Sequence, residues 1–229
     1  MPEVSIIMPV YNPNSKWLVD AVDSIIDQSF TDFELLIVDD GSDNPSACDD
    51  FTEWDDRIKV LRHDYNMNQA SALNTGLRNA KGEFICFLDC DDLFIEDKLD
   101  KQLTFFSTNS DADMIYADGW YLHDDGITEY NLNDNPENLL NWNIVCVGSV
   151  MVRKKVFDEV SYFDTNLDRS HDWDMWIRVY KTGFKIQKME ERCGIYYRLH
   201  PGQKSKNINA NKAHNYIKEK HSLKGGINE

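Results

Sequence analysis

Basic residues are scarce in this chain: 24 Lys and Arg stand against 40 Asp and Glu, a formal charge of −16 over 229 residues. A surface that follows a nucleic-acid backbone needs clustered cations, so no nucleic-acid partner is expected. A phosphate-bearing small molecule stays open, because a bound metal supplies positive charge locally. No apolar run reaches membrane-spanning length, and the start Met1-Pro2-Glu3 lacks the basic n-region of a signal peptide. The five cysteines (Cys48, Cys86, Cys90, Cys146 and Cys193) form no CxxC pair and no zinc spacing, which suits reduced thiols in a cytosolic protein. The chain is therefore expected to be soluble and cytoplasmic. Repeats and low-complexity blocks are missing too, and residues 1–30 hold no Gly-rich phosphate loop. That last absence argues against a nucleotidyltransferase gripping a triphosphate.

What the chain does have is a sizeable core, with 41% hydrophobic and 12% aromatic residues. Buried-strand patterns recur at Val4-Ser5-Ile6-Ile7-Met8-Pro9-Val10-Tyr11, Phe33-Glu34-Leu35-Leu36-Ile37-Val38, Ile58-Lys59-Val60-Leu61-Arg62 and Phe84-Ile85-Cys86-Phe87-Leu88. Between them lie helical patterns over residues 16–28 and 70–81 and a short acidic helix. Such alternation predicts an α/β fold with a Rossmann-like, mostly parallel sheet flanked by helices. The fourth strand runs into Asp89-Cys90-Asp91-Asp92, and the second into Asp39-Asp40-Gly41-Ser42. Ligands in such sheets bind beyond the carboxyl ends of the strands. Crowded carboxylates there repel one another unless a cation sits among them, which points to Mg²⁺ or Mn²⁺. The plainer alternative is a solvated acidic loop capping the next helix.

The ordered set Ser5-Ile6-Ile7-Met8-Pro9-Val10-Tyr11-Asn12, Ser24-Ile25-Ile26-Asp27-Gln28-Ser29-Phe30, Val38-Asp39-Asp40-Gly41-Ser42, Ala72-Leu73-Asn74-Thr75-Gly76 and Leu88-Asp89-Cys90-Asp91-Asp92 resembles the family-two glycosyltransferases with the GT-A fold. The resemblance implies a nucleoside-diphosphate-sugar donor, a UDP-sugar being favoured, and a carbohydrate or lipid-linked acceptor. It makes Asp89-Cys90-Asp91 the DxD element, with Asp91 as direct metal ligand and Asp89 reaching the ribose or the metal. Asp39 takes the place of the Asp that accepts from the nucleotide base, over a floor of Pro9 and Tyr11. Ordinary structure explains Pro9 and Tyr11 equally well. Two positions depart from the family pattern: Asn68, where glycine is usual, and Leu73, where arginine is usual.

Beyond residue 92 the pattern is less regular, as expected of an acceptor-binding half. Residues 113–121 and 145–152 read as strands, and the polar residues 124–143 as a loop or small hairpin over the site. Trp120, Trp142, Trp173 and Trp176 are candidates for stacking on sugar rings, with core packing the alternative for each. The segment His171-Asp172-Trp173-Asp174 resembles the family's ED motif, with His171 in place of Glu. Asp172 then becomes the catalytic base that takes a proton from the acceptor hydroxyl, giving inversion. Alternatively it caps the helix that follows. Tyr197-Arg198-Leu199-His200 resembles an element whose His approaches the diphosphate or the metal, which adds His200 to the metal candidates. The expected organisation is one domain: 1–92 for the nucleotide sugar, 93–202 for acceptor and catalysis, and a basic tail, 203–229. In that tail Lys204 and Lys206 are candidates for closing over the diphosphate, and the distal part reads as a solvated helix. A nucleotidyltransferase and a catalytically silent carbohydrate-binding protein are the alternative functions. The cytoplasm is the expected location, with contact at the inner face of the membrane compatible with it.

Overall fold

The structure, a computed structural model, describes residues 1–44, 48–203 and 210–223. Its strands and helices follow one another as β1 (Val4–Val10), α1 (Ser15–Ile26), β2 (Phe33–Asp39), α2 (Phe51–Trp54), β3 (Ile58–Arg62), α3 (Gln69–Asn79), β4 (Phe84–Phe87) and β5 (Leu93–Phe94). Then come α4 (Lys98–Thr108), β6 (Met114–Tyr116), β7 (Gly119–His123), β8 (Gly126–Tyr130), β9 (Val150–Arg153), α5 (Lys155–Val160), α6 (His171–Thr182), β10 (Ile186–Lys188), β11 (Ile195–Arg198) and α7 (Ala210–Lys220). The main sheet has the order β10-β6-β9-β4-β1-β2-β3, with β9 as its antiparallel member. A smaller sheet, β5-β11-β7-β8, stands beyond its carboxyl edge.

Every position of β1 and β2 is buried, which is why their sequences run apolar without alternation. One face of the sheet packs Leu18, Val22 and Ile25 of α1 with Leu99 and Phe106 of α4. The other packs Leu73 and Leu77 of α3, Val156 of α5, Trp173 and Ile177 of α6 and Ile217 of α7. Each such side chain contributes on the order of 1.5–3 kcal/mol. At the opposite end from the site, Glu34 is buried in β2 yet ionised. Burial alone would raise its carboxyl, but Lys59 at 2.6 Å, Ser5 and the Lys81 amide hold it below the usual range. Gly82 packs there against the β1 backbone, where an added Cβ would lie 2.5 Å from the Ser5 nitrogen.

Three expectations change. Residues 113–121 form two strands, not one: β6 joins the main sheet and β7 the small one. Gly119 makes the switch feasible, since a Cβ there would meet the Ile195 carbonyl at 2.3 Å. Residues 147–149 make a 3₁₀ turn ahead of β9, held by the Ser149 hydroxyl donating to the Cys146 carbonyl at 2.7 Å. The distal tail is docked rather than solvated, with Ala213 and Ile217 buried. Its anchor is Asp174, fully buried in α6, which meets Arg178 at 3.0 Å, Lys220 at 2.8 Å and His221 at 2.8 Å. Lys204, Lys206 and Lys224 lie outside the described residues.

Burial would push the Asp174 carboxyl up, but hydrogen bonds from His221 and Lys220 and the charge of Arg178 outweigh it and hold the group well below the usual carboxylate range. A depressed folded-state value stabilises the fold above the unfolded value of about 3.9. That contribution is lost as pH falls through the folded value. Asp174→Ala removes the anion from among three bases and is expected to cost about 3–5 kcal/mol in urea unfolding at pH 7. The cost should shrink when the measurement is repeated near pH 3. An equal cost at both pH values would show that packing, not charge, holds α7.

Candidate functional site

The strand order turns at β1, which has β2 on one side and β4 on the other. Ligands bind at such a turning point, outside the carboxyl ends. A cavity of about 790 Å³ opens there, lined by residues from β1, α1, α3, the loop after β4, α6, α7 and the small sheet. The exits of β1 and β2 are tied together: Asn12, at φ 45°, donates from its backbone to the Ser42 hydroxyl at 2.9 Å and exchanges two hydrogen bonds with Asp43. Gly41, at φ +74°, closes the turn where a Cβ would lie 2.5 Å from the Tyr65 backbone. Pro9 and Tyr11 line the cavity.

Asp39 does not line it. The Asp39 carboxylate is 0% exposed and accepts from the Ser42 amide at 3.0 Å and from Arg62 at 3.1 Å. Its neighbour Asp40 lines the cavity instead. Asp40 accepts on Oδ1 from His63 at 2.7 Å and from the Met67 amide at 2.9 Å, and the His63 ring also reaches Thr75 at 2.9 Å. Consecutive strand residues point to opposite faces. The sequence offered two adjacent aspartates and no means of telling which face was which.

At the end of β4 the carboxylates of Asp89, Asp91 and Asp92 offer oxygen atoms within 4.8 Å of one another. Each has a supporting partner. Gln69, at the start of α3, donates to Asp89 at 2.7 Å, the Arg198 amide donates to Asp92 at 2.9 Å, and His200 meets Asp91 at 2.9 Å. The His200 ring lies against Trp17 of α1, centroids 4.6 Å apart. Arg198 donates to the Asp91 carbonyl at 2.8 Å and reaches Asp20 at 3.4 Å, so it braces the loop. Burial, then the charges of Asp91 and Asp89, push the Asp92 carboxyl well above its ordinary value. Three oxygen donors and an imidazole with too little positive charge among them fit a hard divalent cation.

Asp172 stands on another wall, and it is not the helix cap: Ser170 is the N-cap of α6, leaving Asp172 in the first turn. Asn143 donates to Asp172 Oδ2 at 2.7 Å. His171, in the position of the family's Glu, is buried edge-on to Phe163 at 5.7 Å. His214 of α7 also lines the cavity, its imidazole pushed down by burial and then by Lys218. Neither Asn143 nor His214 was legible as a site residue, since each arrives from a segment without a motif. Of the four candidate tryptophans, Trp173 and Trp176 are buried in the core and Trp120 lies under Arg192 at 4.7 Å. Trp142 is 53% exposed. Asn68 occupies φ 79° and ψ 161°, a backbone region that glycine enters freely and other residues rarely do. From there it caps α3 at Ser71 and donates to the Thr165 carbonyl at 2.9 Å. Leu73 is core, 1% exposed.

Among the described residues no helix is long and apolar enough to cross a membrane. The profile described as Glycosyl transferase family 2 matches residues 5–175. An uncharacterized glycosyltransferase of Methanocaldococcus jannaschii is 28% identical over 83% of this chain and 69% of its own. TuaG of Bacillus subtilis, named for teichuronic acid biosynthesis, is 32% identical over 86% of this chain and 79% of its own. Some other relatives are matched over much less of their length, one from Rickettsia felis over 36%. S. aureus TarS 1-349 in complex with UDP-GlcNAc is similar in structure, with a TM-score of 0.77 and 19% identity over 94% of this chain and 64% of that one. The mannosyltransferase PcManGT from Pyrobaculum calidifontis, in complex with GDP-Man and Mn²⁺, gives a TM-score of 0.74 and 18% identity over 99% of this chain and 66% of that one. With a parallel sheet turning at β1, carboxylates at its β4 exit and a family profile spanning the same elements, this chain has the GT-A fold and belongs to glycosyl transferase family 2.

Proposed function

We propose that this chain transfers a sugar from a nucleoside-diphosphate sugar to a hydroxyl of a carbohydrate or lipid-linked acceptor, inverting the anomeric centre. The observation that carries the reading is a single cavity holding both the Asp89, Asp91, Asp92 and His200 cluster and the separate carboxylate of Asp172. Family membership supports glycosyl transfer. The UDP-GlcNAc and GDP-Man complexes of the neighbours support a nucleotide-sugar donor, with a UDP-sugar favoured, and the Mn²⁺ of one supports a divalent ion, Mn²⁺ or Mg²⁺. The name of the TuaG relative is consistent with a polysaccharide product. A cytoplasmic site of action, at the membrane's inner face when the acceptor is lipid-linked, completes the proposal.

Asp91, Asp89 and His200 are the residues that would hold the ion, which when bound supplies Lewis-acid stabilisation to the departing diphosphate. Pro9 and Tyr11 form the floor under the base, and Asp40, in place of the expected Asp39, offers it a carboxylate oxygen. Asp172 takes the proton of the acceptor hydroxyl. The acceptor oxygen bonds to the anomeric carbon, and the electron pair of the broken bond leaves with the diphosphate. A base on the face opposite the leaving group dictates inversion.

UDP binding followed by calorimetry is expected to depend on Mn²⁺ or Mg²⁺ and to weaken on the order of 10-fold or more in Asp91→Ala, the loss of a charged contact of about 1.5–3 kcal/mol. Equal affinity with excess EDTA and with excess Mn²⁺ would contradict the metal assignment. Asp40→Asn should change the ranking of UDP, GDP and ADP affinities. A variant that weakens all three equally would assign Asp40 a structural role only. Asp172→Asn should leave UDP binding intact while transfer, or donor hydrolysis as its proxy, falls on the order of 10²–10⁴-fold. A retained anomeric configuration in the product would rule out single displacement.

A further inference from the structure

Asn143 sits in the segment between β8 and β9, remote in sequence from α6, and its side-chain amide is fixed at both ends. Its Oδ1 accepts from the Val145 amide at 3.3 Å, so the NH₂ end must be the one turned toward Asp172, to which it donates at 2.7 Å. The segment that carries it is pinned to the same helix. Trp173, the residue after Asp172, donates from its indole to the Leu139 carbonyl at 2.7 Å. The buried Tyr116 hydroxyl donates to the Asn133 carbonyl at 2.6 Å, and the Trp142 amide closes a turn on the Asn138 carbonyl at 3.1 Å. Asn143 and Asp172 therefore reach the cavity wall as a hydrogen-bonded pair, and both line it.

We propose that Asn143 is a positioning residue for Asp172: it occupies Oδ2, fixes the orientation of the carboxylate and leaves Oδ1 to receive the acceptor proton. The inference rests on the assignment of Asp172 as the base. The physical ground is that a donor aimed at a carboxylate favours its charged form, while a single fixed hydrogen bond selects one carboxylate orientation. Other charged or titratable groups share the cavity with Asp172: His214 from α7, Asp168, Arg169 and His171 at the start of α6, Cys146 ahead of β9, and the Asp89, Asp91 and Asp92 cluster at the exit of β4. None of the hydrogen bonds described for Asp172 comes from these groups; Asn143 supplies it.

The test uses the full chain and a readout that needs no substrate. The Asp172 carboxyl carbon, labelled with ¹³C and assigned by its disappearance in Asp172→Asn, is titrated by NMR in a His214→Gln background, so that the imidazole does not ionise in the same window. Asn143→Leu is expected to move the Asp172 midpoint up by roughly 0.5–1 pH unit, the loss of one charged hydrogen bond at a partly exposed site. Asn143→Asp, isosteric with the amide, places two carboxylates in contact and should move one of them up by about 2 pH units; it keeps the test open should Asn143→Leu fail to fold. Alongside, hydrolysis of UDP-glucose and UDP-GlcNAc with Mn²⁺ should slow on the order of 10-fold in Asn143→Leu, with the donor KM unchanged and the acid limb of its pH profile moved up. An unmoved Asp172 midpoint in both variants overturns the proposal. Parental hydrolysis in Asp172→Asn overturns the base assignment instead, so the two failures are distinguishable.

Discussion

The carboxylates of Asp89, Asp91 and Asp92 converge where β4 leaves the sheet, one of them buried, and the structure around them is shaped by the need to offset that repulsion. Unpaired buried charge is costly. Here Gln69, the Arg198 amide and His200 supply part of the compensation from three directions. Two of those partners come from β11 and the turn beyond it, which explains why a second sheet stands past the carboxyl edge of the first: it carries Arg198 and His200 back to the cluster. Trp17 fixes the His200 ring from α1. The compensation is incomplete, since burial and mutual repulsion still push the Asp92 carboxyl well up. That remaining imbalance is what supports the proposed divalent ion.

A second buried carboxylate is treated in the opposite way. Asp174 is surrounded by Arg178, Lys220 and His221, and its carboxyl lies below the usual range. Its task is architectural. The ion cluster clamps α7 onto α6 and thereby brings His214 to the cavity wall. Asp172 and Asp174 are two residues apart on one helix, yet one faces the cavity and the other is enclosed by bases. Helical geometry separates them by about 200° around the axis, so adjacent acidic residues serve unrelated purposes.

The departures from the family pattern have physical readings. Asn68 keeps the positive-φ backbone that a glycine would supply, and its side chain adds a cap for α3 and a tie to Thr165. Leu73 has become part of the core. His171 lies edge-on to Phe163 at the cavity wall, and Asn143 supplies the hydrogen bond to Asp172.

Much of the first ninety-two residues was legible in the sequence, because buried parallel strands read as continuous apolar runs, and the second and fourth end where acidic residues begin. That placed β1 to β4, the Asp89 to Asp92 cluster and the turn after β2 from local pattern alone. His200 was named from its motif, but Gln69 and Asn143 were not legible, and the reason is the same for both. Gln69 meets Asp89 and Asn143 meets Asp172 across 20 and 29 positions respectively, and no local periodicity encodes such contacts. The split of residues 113–121 between two sheets depended on Gly119 meeting the Ile195 backbone, a partner remote in sequence. The choice between Asp39 and Asp40 depended on which side of β2 faced the cavity. Sequence by itself determined the fold class, the strands and the kind of chemistry at their ends, because those follow from burial and from the charge of neighbouring residues. Only tertiary structure decided which carboxylates face the cavity, what supports them and how α7 docks against α6, because those depend on groups that meet only after the chain has folded.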